Sequence, residues 1–195
     1  MIPQLERAYD EPHRRYHTRR HIDDCLTRLA AWPDLTGREV RLLTWAIWWH
    51  DAVYDPKAAD NEARSADLAR ADLPRLGAAP ADVEEVVRLI LLTAGHHVPA
   101  GDRLGAVLVS IDLSILAADP AAYDAYAQAV RAEYAHVPQD AWRRGRAAVL
   151  RRFLDAPAIF ADPGFAAAHE ADARANLARE LASLRSLSVP GQAPG

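Results

Sequence analysis

The sequence predicts an all-α fold of about seven to nine helices, on three observations. Half of the residues are hydrophobic, alanine supplies many of them, and β-branched runs are few, a composition that favours helix. Apolar residues recur at helical spacing in segment after segment, and no useful length alternates with the period of a strand. Proline and glycine interrupt the chain where helices would end. The 195 residues suffice for one domain with a sizeable core, read over 1–186 as a single-domain helical bundle. The tail 187–195 has nothing to bury and reads as disordered.

The elements follow in order. Ile2, Leu5 and Tyr9 share one helical face, and Pro12 ends or bends that segment. A helix over about 13–31 carries Tyr16, Ile22, Leu26 and Leu29, and places His13, His17 and His21 on one face through their four-residue spacing. Thr36-Gly37-Arg38-Glu39 matches a capping box. The helix it opens carries Val40, Leu43, Ile47 and the core tryptophans Trp45, Trp48 and Trp49, then reaches His50-Asp51 before Pro56. A further helix spans about 60–73, with Asp60 or Asn61 as its cap. Pro80-Ala81-Asp82 opens another, through Val86, Val87, Ile90 and Leu91. His96 and His97 follow in a loop with Pro99 and Gly101. The run 104–116 is strongly apolar and carries Asp112 in its middle. Asp119-Pro120, Pro138 and Asp162-Pro163 each precede a helix, the last over about 165–186.

Composition excludes several classes of function. The net charge is −4, from 23 basic and 27 acidic residues, so charge gives no case for a nucleic-acid duplex or a membrane surface as partner. Cys25 is the sole cysteine, which rules out an intramolecular disulfide and a thiolate zinc cluster. No apolar leader segment and no run of transmembrane length is present, and the expectation is a soluble cytoplasmic protein.

Three helices each offer polar groups that face inward: His21 from one, His50 and Asp51 from the tryptophan helix, Asp112 from the apolar run. Two imidazoles and two carboxylates suit Mn, Fe, Co, Ni or Zn and leave positions open for water and substrate. A hydrogen-bonded set of core polar groups fits the same pattern. An unpaired charged carboxylate inside an apolar helix costs about 3–5 kcal/mol, so Asp112 demands a metal, an arginine or a set of donors. His17, one turn before His21, can orient the centre or shuttle a proton. Asp55, four residues after Asp51, shares its face if the helix persists that far and would then serve as a general base. Glu62 offers a similar role. His96 and His97 lie in a loop, where groups that touch substrate often sit.

The ordered set resembles the HD superfamily of metal-dependent phosphohydrolases, which share a His, an adjacent His-Asp pair and a distant Asp. These fall here on His21, His50-Asp51 and Asp112. The chain is similar in particular to a small single-domain subgroup. Tyr9, Pro12, Arg14, Tyr16-His17 and His21-Ile22 fit its opening motif, and Trp49 to Asp55 its central one. Asn61-Glu62, Ser65-Ala66, Thr93 and Asp112-Leu113-Ser114-Ile115-Leu116 follow. Arg131-Ala132-Glu133-Tyr134, Gly145-Arg146, Glu170, Arg174 and Asn176 complete it. The resemblance implies an HD-type helical bundle holding a divalent ion (Mn, Co, Ni, Fe, Zn or Mg) on His21, His50, Asp51 and Asp112. It implies hydrolysis of a nucleotide or other small phosphoester by a metal-activated water. Arg14, Arg131 and Arg146 match subgroup positions and would bind substrate phosphate, with His96 and His97 on the substrate side or at a second ion. One departure is Ser110, which stands where the subgroup often has an aspartate two residues before Asp112. Other chemistry on the same scaffold, as an oxygenase or lyase, or ligand binding without turnover, are the alternatives.

Overall fold

The structure is a computed structural model that describes residues 3–186, so Ile2 and the tail read as disordered lie outside the described residues. The all-α expectation holds: among the described residues every regular element is helical, and there are nine α-helices. These are α1 (Pro3–Ala8), α2 (Arg19–Ala30), α3 (Gly37–Trp49), α4 (Asn61–Asp72), α5 (Pro80–Thr93), α6 (Arg103–Asp112), α7 (Pro120–Glu133), α8 (Gln139–Asp155) and α9 (Pro163–Ser186). Short 3-10 turns, Leu73–Leu76 and Leu113–Ala117, follow α4 and α6. The chain divides into two compact units, one ending at Leu113 and the other beginning at Ser114.

Local chemistry accounts for most helix starts. Thr36 and Glu39 form both bonds of the capping box that opens α3: the Glu39 carboxylate accepts the Thr36 N–H at 2.8 Å, and Thr36 Oγ1 accepts the Glu39 N–H at 3.3 Å. Asp119 accepts the N–H groups of Ala121 and Ala122 ahead of Pro120. Two boundaries depart from the sequence reading. Helix α2 begins at Arg19, not near 13, because Thr18 is extended (φ −109°, ψ 177°). His13, His17 and His21 therefore do not share one helical face. The segment before Thr18 is held by contacts with the chain after α3, which override its periodicity. Helix α6 ends at Asp112, so this aspartate stands at a helix terminus, not mid-helix.

The first unit is built around α3, which packs against α2, α4, α5 and α6. Leu42, Leu43, Ala46 and Ile47 are fully buried, and each Leu or Ile side chain removed from water contributes about 1.5–3 kcal/mol. Trp48 and Trp49 are buried as expected, and Trp45 packs at the edge of the core. Helix α6 is anchored at its start. The Asp102 carboxylate accepts the Gly105 N–H at 3.0 Å and pairs with Arg88 of α5. The Asp102 and Leu92 side chains close onto the bare Gly105 backbone: a Cβ there would stand 2.5 Å from Asp102 Oδ2 and 2.6 Å from Leu92 Cδ1, so those side chains would have to shift. With its start fixed on α5, α6 delivers Asp112 at its other end.

In the second unit α8 packs against α9. The Arg146 guanidinium donates to both oxygens of Glu180, at 2.7 and 2.9 Å, and the Tyr123 hydroxyl donates to the same carboxylate. Glu170 accepts the N–H groups of Ile159 and Phe160, Arg174 donates to the carbonyls of Leu154 and Ala156, and Asn176 donates to those of Leu116 and Ala118. These side chains satisfy backbone groups at bends and helix ends.

Asp102 supplies a stability test. Burial raises its carboxyl, but Arg88 and the Gly105 N–H more than offset this and hold it below the ordinary value. A depressed carboxyl stabilises the fold above its unfolded value, about 4, and loses that contribution as pH falls through the folded value. Asp102→Ala should lower stability to urea by about 1–2 kcal/mol at neutral pH. The gap from the parent should shrink as pH falls below about 4.

Candidate metal centre

The last turn of α3 would leave its carbonyl groups without helical partners. Tyr9 satisfies one of them, and Arg14 satisfies carbonyls of the turn that follows. The Tyr9 hydroxyl donates to the Trp48 carbonyl at 2.8 Å. Arg14 donates through Nη1 to the Asp51 carbonyl at 2.8 Å and through Nη2 to the Ala52 carbonyl at 3.2 Å. It also reaches the His17 carbonyl and Glu11, and its guanidinium lies over the rings of Tyr9 and Tyr54. From α4, Ser65 Oγ accepts the Val53 N–H, and Asn61 brackets the backbone of Asp55 with two hydrogen bonds. The turn that carries Asp51 is thus tied on both sides.

His50, the residue that closes α3, donates from Nδ1 to the Ile47 carbonyl at 2.9 Å, which sets its tautomer and turns Nε2 inward. That Nε2 stands 3.1 Å from Asp51 Oδ2, 3.2 Å from His21 Nε2 and 3.5 Å from Asp112 Oδ1. His21 Nε2 stands 3.3 Å from Asp112 Oδ1 and 3.8 Å from Asp51 Oδ2. The four predicted ligands therefore converge from α2, the end of α3 and the end of α6. The imidazoles are buried, while the side chains of Asp51 and Asp112 keep 15% and 14% exposure, which leaves the carboxylates an approach from solvent.

Four of these five separations fit one cation, since donor atoms about 2.0–2.2 Å from a common ion lie roughly 2.8–3.6 Å apart at angles between 90° and tetrahedral; the 3.8 Å between His21 and Asp51 is wider. Electrostatics point the same way. Burial pulls His50 down, but Asp51 and then Asp112 outweigh it and raise the imidazole well above its ordinary range. Burial pushes Asp51 and Asp112 up, and the surrounding histidines more than offset it and hold both carboxyls well below theirs. The carboxylates draw positive charge onto His50, and a metal ion would supply that charge directly. Both α3 and α6 also end here, and a helix C-terminus carries partial negative charge that favours a cation.

The remaining predicted site residues divide. His96 is brought in: its Nε2 lies 3.3 Å from Asp112 Oδ2, on a left-handed backbone (φ 55°) that puts its ring there. His97, the next residue, is exposed. His17 stacks on Tyr54 with ring centroids 4.3 Å apart, stands 6.1 Å from the His21 ring and contributes to the depression of Asp51. Asp55 is corrected. Helix α3 stops at Trp49, Asp55 is exposed, and its Oδ1 accepts the Lys57 N–H, so it shares no helical face with Asp51. Glu62 is half-buried in the first turn of α4. Arg14 is also corrected: its side chain has no exposed surface and its donors go to carbonyls and Glu11, which makes it a positioning residue, not a phosphate ligand. Arg131 and Arg146 belong to the second unit and spend their donors there, Arg131 on the Tyr134 and Val137 carbonyls and on Gln139, Arg146 on Glu180. Ser110 is fully buried, and Asp112 is the carboxylate of that run that meets the histidines.

Two neighbours of His21 had no place at the centre in the sequence reading. Tyr16 packs against His21 with ring centroids 4.9 Å apart. Cys25, one turn beyond His21, lies with Sγ 3.8 Å from His21 Nδ1, and burial, then Asp112 and Asp51, raise its thiol well above the ordinary value. The four-residue step from His21 to Cys25 was the available signal.

Comparison of the chain with family models, with curated proteins and with solved structures gives no match.

Arg14→Met should keep much of the side chain's volume while stranding the carbonyls of Asp51 and Ala52. Equilibrium unfolding should show a loss of about 3 kcal/mol.

Proposed function

We propose that the chain is a metal-dependent phosphohydrolase of the HD type, acting on a nucleotide or other small phosphoester. The observation that carries this reading is the convergence of two imidazoles and two partly open carboxylates from three helices, spaced as ligands of one ion. The ordered motifs from Tyr9 to Asp112 support it. His21, His50, Asp51 and Asp112 would hold the ion. When bound, a divalent cation there supplies a Lewis acid for a phosphoryl oxygen and for water.

The chain's own residues do the rest. His50 is locked through Nδ1, so its Nε2 stays aimed at the centre. Arg14 and Ser65 fix the turn that presents Asp51. His17, whose ring neighbours those of His21 and Tyr54, is the residue we assign to proton transfer.

His96 favours one other reading. Its approach to the second oxygen of Asp112 provides a donor for a second ion, which an oxygenase or lyase on this scaffold would need. Iron content with dioxygen uptake would separate that chemistry from hydrolysis.

The test is a panel of phosphomonoesters and phosphodiesters run with Mn, Co, Ni and Mg. We expect metal-dependent turnover that falls about 100-fold or more in Asp112→Ala, together with loss of bound metal. A protein that takes up metal and turns over no phosphoester in any of these would overturn the hydrolase and keep the metal centre. A protein that stays empty after soaking in Mn or Ni would overturn both.

A further inference from the structure

Helix α8 turns two arginines inward one turn apart, and their surroundings differ. Arg146 donates to both oxygens of Glu180. Arg143 has no comparable partner. Its side chain keeps 14% exposure, and its Nε is buried with no hydrogen-bond partner among the described residues. Its Nη1 comes no closer than 4.0 Å to the carboxylate of Asp140, whose side chain is 82% exposed. A guanidinium keeps its charge at any ordinary pH, so it cannot escape the cost of burial by losing a proton. Arginine is seldom buried without a partner, and a buried donor left unmet asks for one. The approach to Asp140 shows that the side chain runs back along α8 toward its first turn. That turn follows Pro138, and no side chain caps it. Its N–H groups carry partial positive charge. Arg131 brings a second guanidinium there, donating to Gln139 at 3.2 Å and lying over the Trp142 ring.

We propose that Arg143 is an anion-binding residue, which takes the phosphate group of a small molecule beside the start of α8. Arg143 belongs to the second unit, whereas His21, His50, Asp51 and Asp112 all belong to the first, so this site does not depend on the metal centre. Phosphate suits a guanidinium because N–H groups fixed in one plane meet two of its oxygens. A charged pair of this kind is about twice as strong as a neutral hydrogen bond. The event is binding alone, and no covalent bond forms or breaks. The Asp140 carboxylate opposes such a ligand. It is exposed and holds Arg143 only at the limit of an ion pair, so it is free to turn to solvent as the anion takes its place. Arg144, Arg151 and Arg152 are exposed and have water for a partner. Burial singles out Arg143, not the charge of the helix as a whole.

The experiment is thermal unfolding of the full chain in a metal chelator, titrated with inorganic phosphate and, separately, with phenyl phosphate, against sodium chloride at matched ionic strength. A midpoint that rises with phosphate and not with chloride is expected, and the more effective of the two compounds tells a free ion from the phosphate of an ester. Arg143→Met should unfold at the parent's midpoint or above it, because it removes a buried donor that no group meets. Its affinity for phosphate should fall about tenfold or more, as loss of one charged hydrogen bond requires. Asp140→Asn should bind phosphate more tightly than the parent, and Arg144→Gln should bind it as the parent does. A parent chain whose midpoint ignores both phosphates would overturn the proposal, and so would an Arg143→Met that keeps the parent's response. Should Arg143→Met not fold, Asp140→Asn decides: no gain in phosphate binding there overturns the site.

Discussion

Two carboxylates and two imidazoles share one buried space at the ends of two helices, and only positive charge can keep them there. Burial alone would neutralise all four groups. The close approach of the imidazoles reverses that outcome for three of them: Asp51 and Asp112 raise His50, and the neighbouring histidines keep both carboxyls charged. The helix termini sharpen the demand, because the C-terminal ends of α3 and α6 add negative potential to the two carboxylates. The rest of the first unit can be understood as what is needed to hold this cluster still.

That holding is done mostly by groups that touch no donor atom of the cluster. The Tyr9 hydroxyl, the Arg14 guanidinium, Ser65 and Asn61 all bond backbone of the segment from Trp48 to Asp55. Their conjunction shows how residues outside the cluster can still fix its geometry. Arg14 has the charge for phosphate but satisfies carbonyls of the turn after α3 instead, because each carbonyl left buried without a donor would cost about 1–3 kcal/mol.

Much of the fold was legible because its signals are local. The capping box at Thr36, the Asp119-Pro120 start and the prolines ahead of α5 and α9 act within a few residues, and each appears where the sequence placed it. The convergence of His21, His50, Asp51 and Asp112 was legible for the same reason, each being a polar group set in an apolar pattern. What was not legible depends on partners distant in the chain. The start of α2 is moved by contacts with Tyr54 and with the carbonyls of Asp51 and Ala52. The division after Leu113 falls inside a 3-10 turn within an apolar run, so no change in composition announces it. Asp55 was misplaced because sequence spacing cannot show that the helix has ended at Trp49, six residues before it.

The spread of the donors along the chain has a further consequence. Positions 21, 50, 51 and 112 bracket almost the whole of the first unit, which ends at Leu113. A cation held by all four would join distant parts of the chain as a cross-link does, closing long loops in one step and so removing more disorder from the unfolded chain than any single short-range contact. Such a link is reversible, and its strength follows the free concentration of the ion. The durability of this unit would then be set in part by the ionic composition of its surroundings, and not by its amino acids alone.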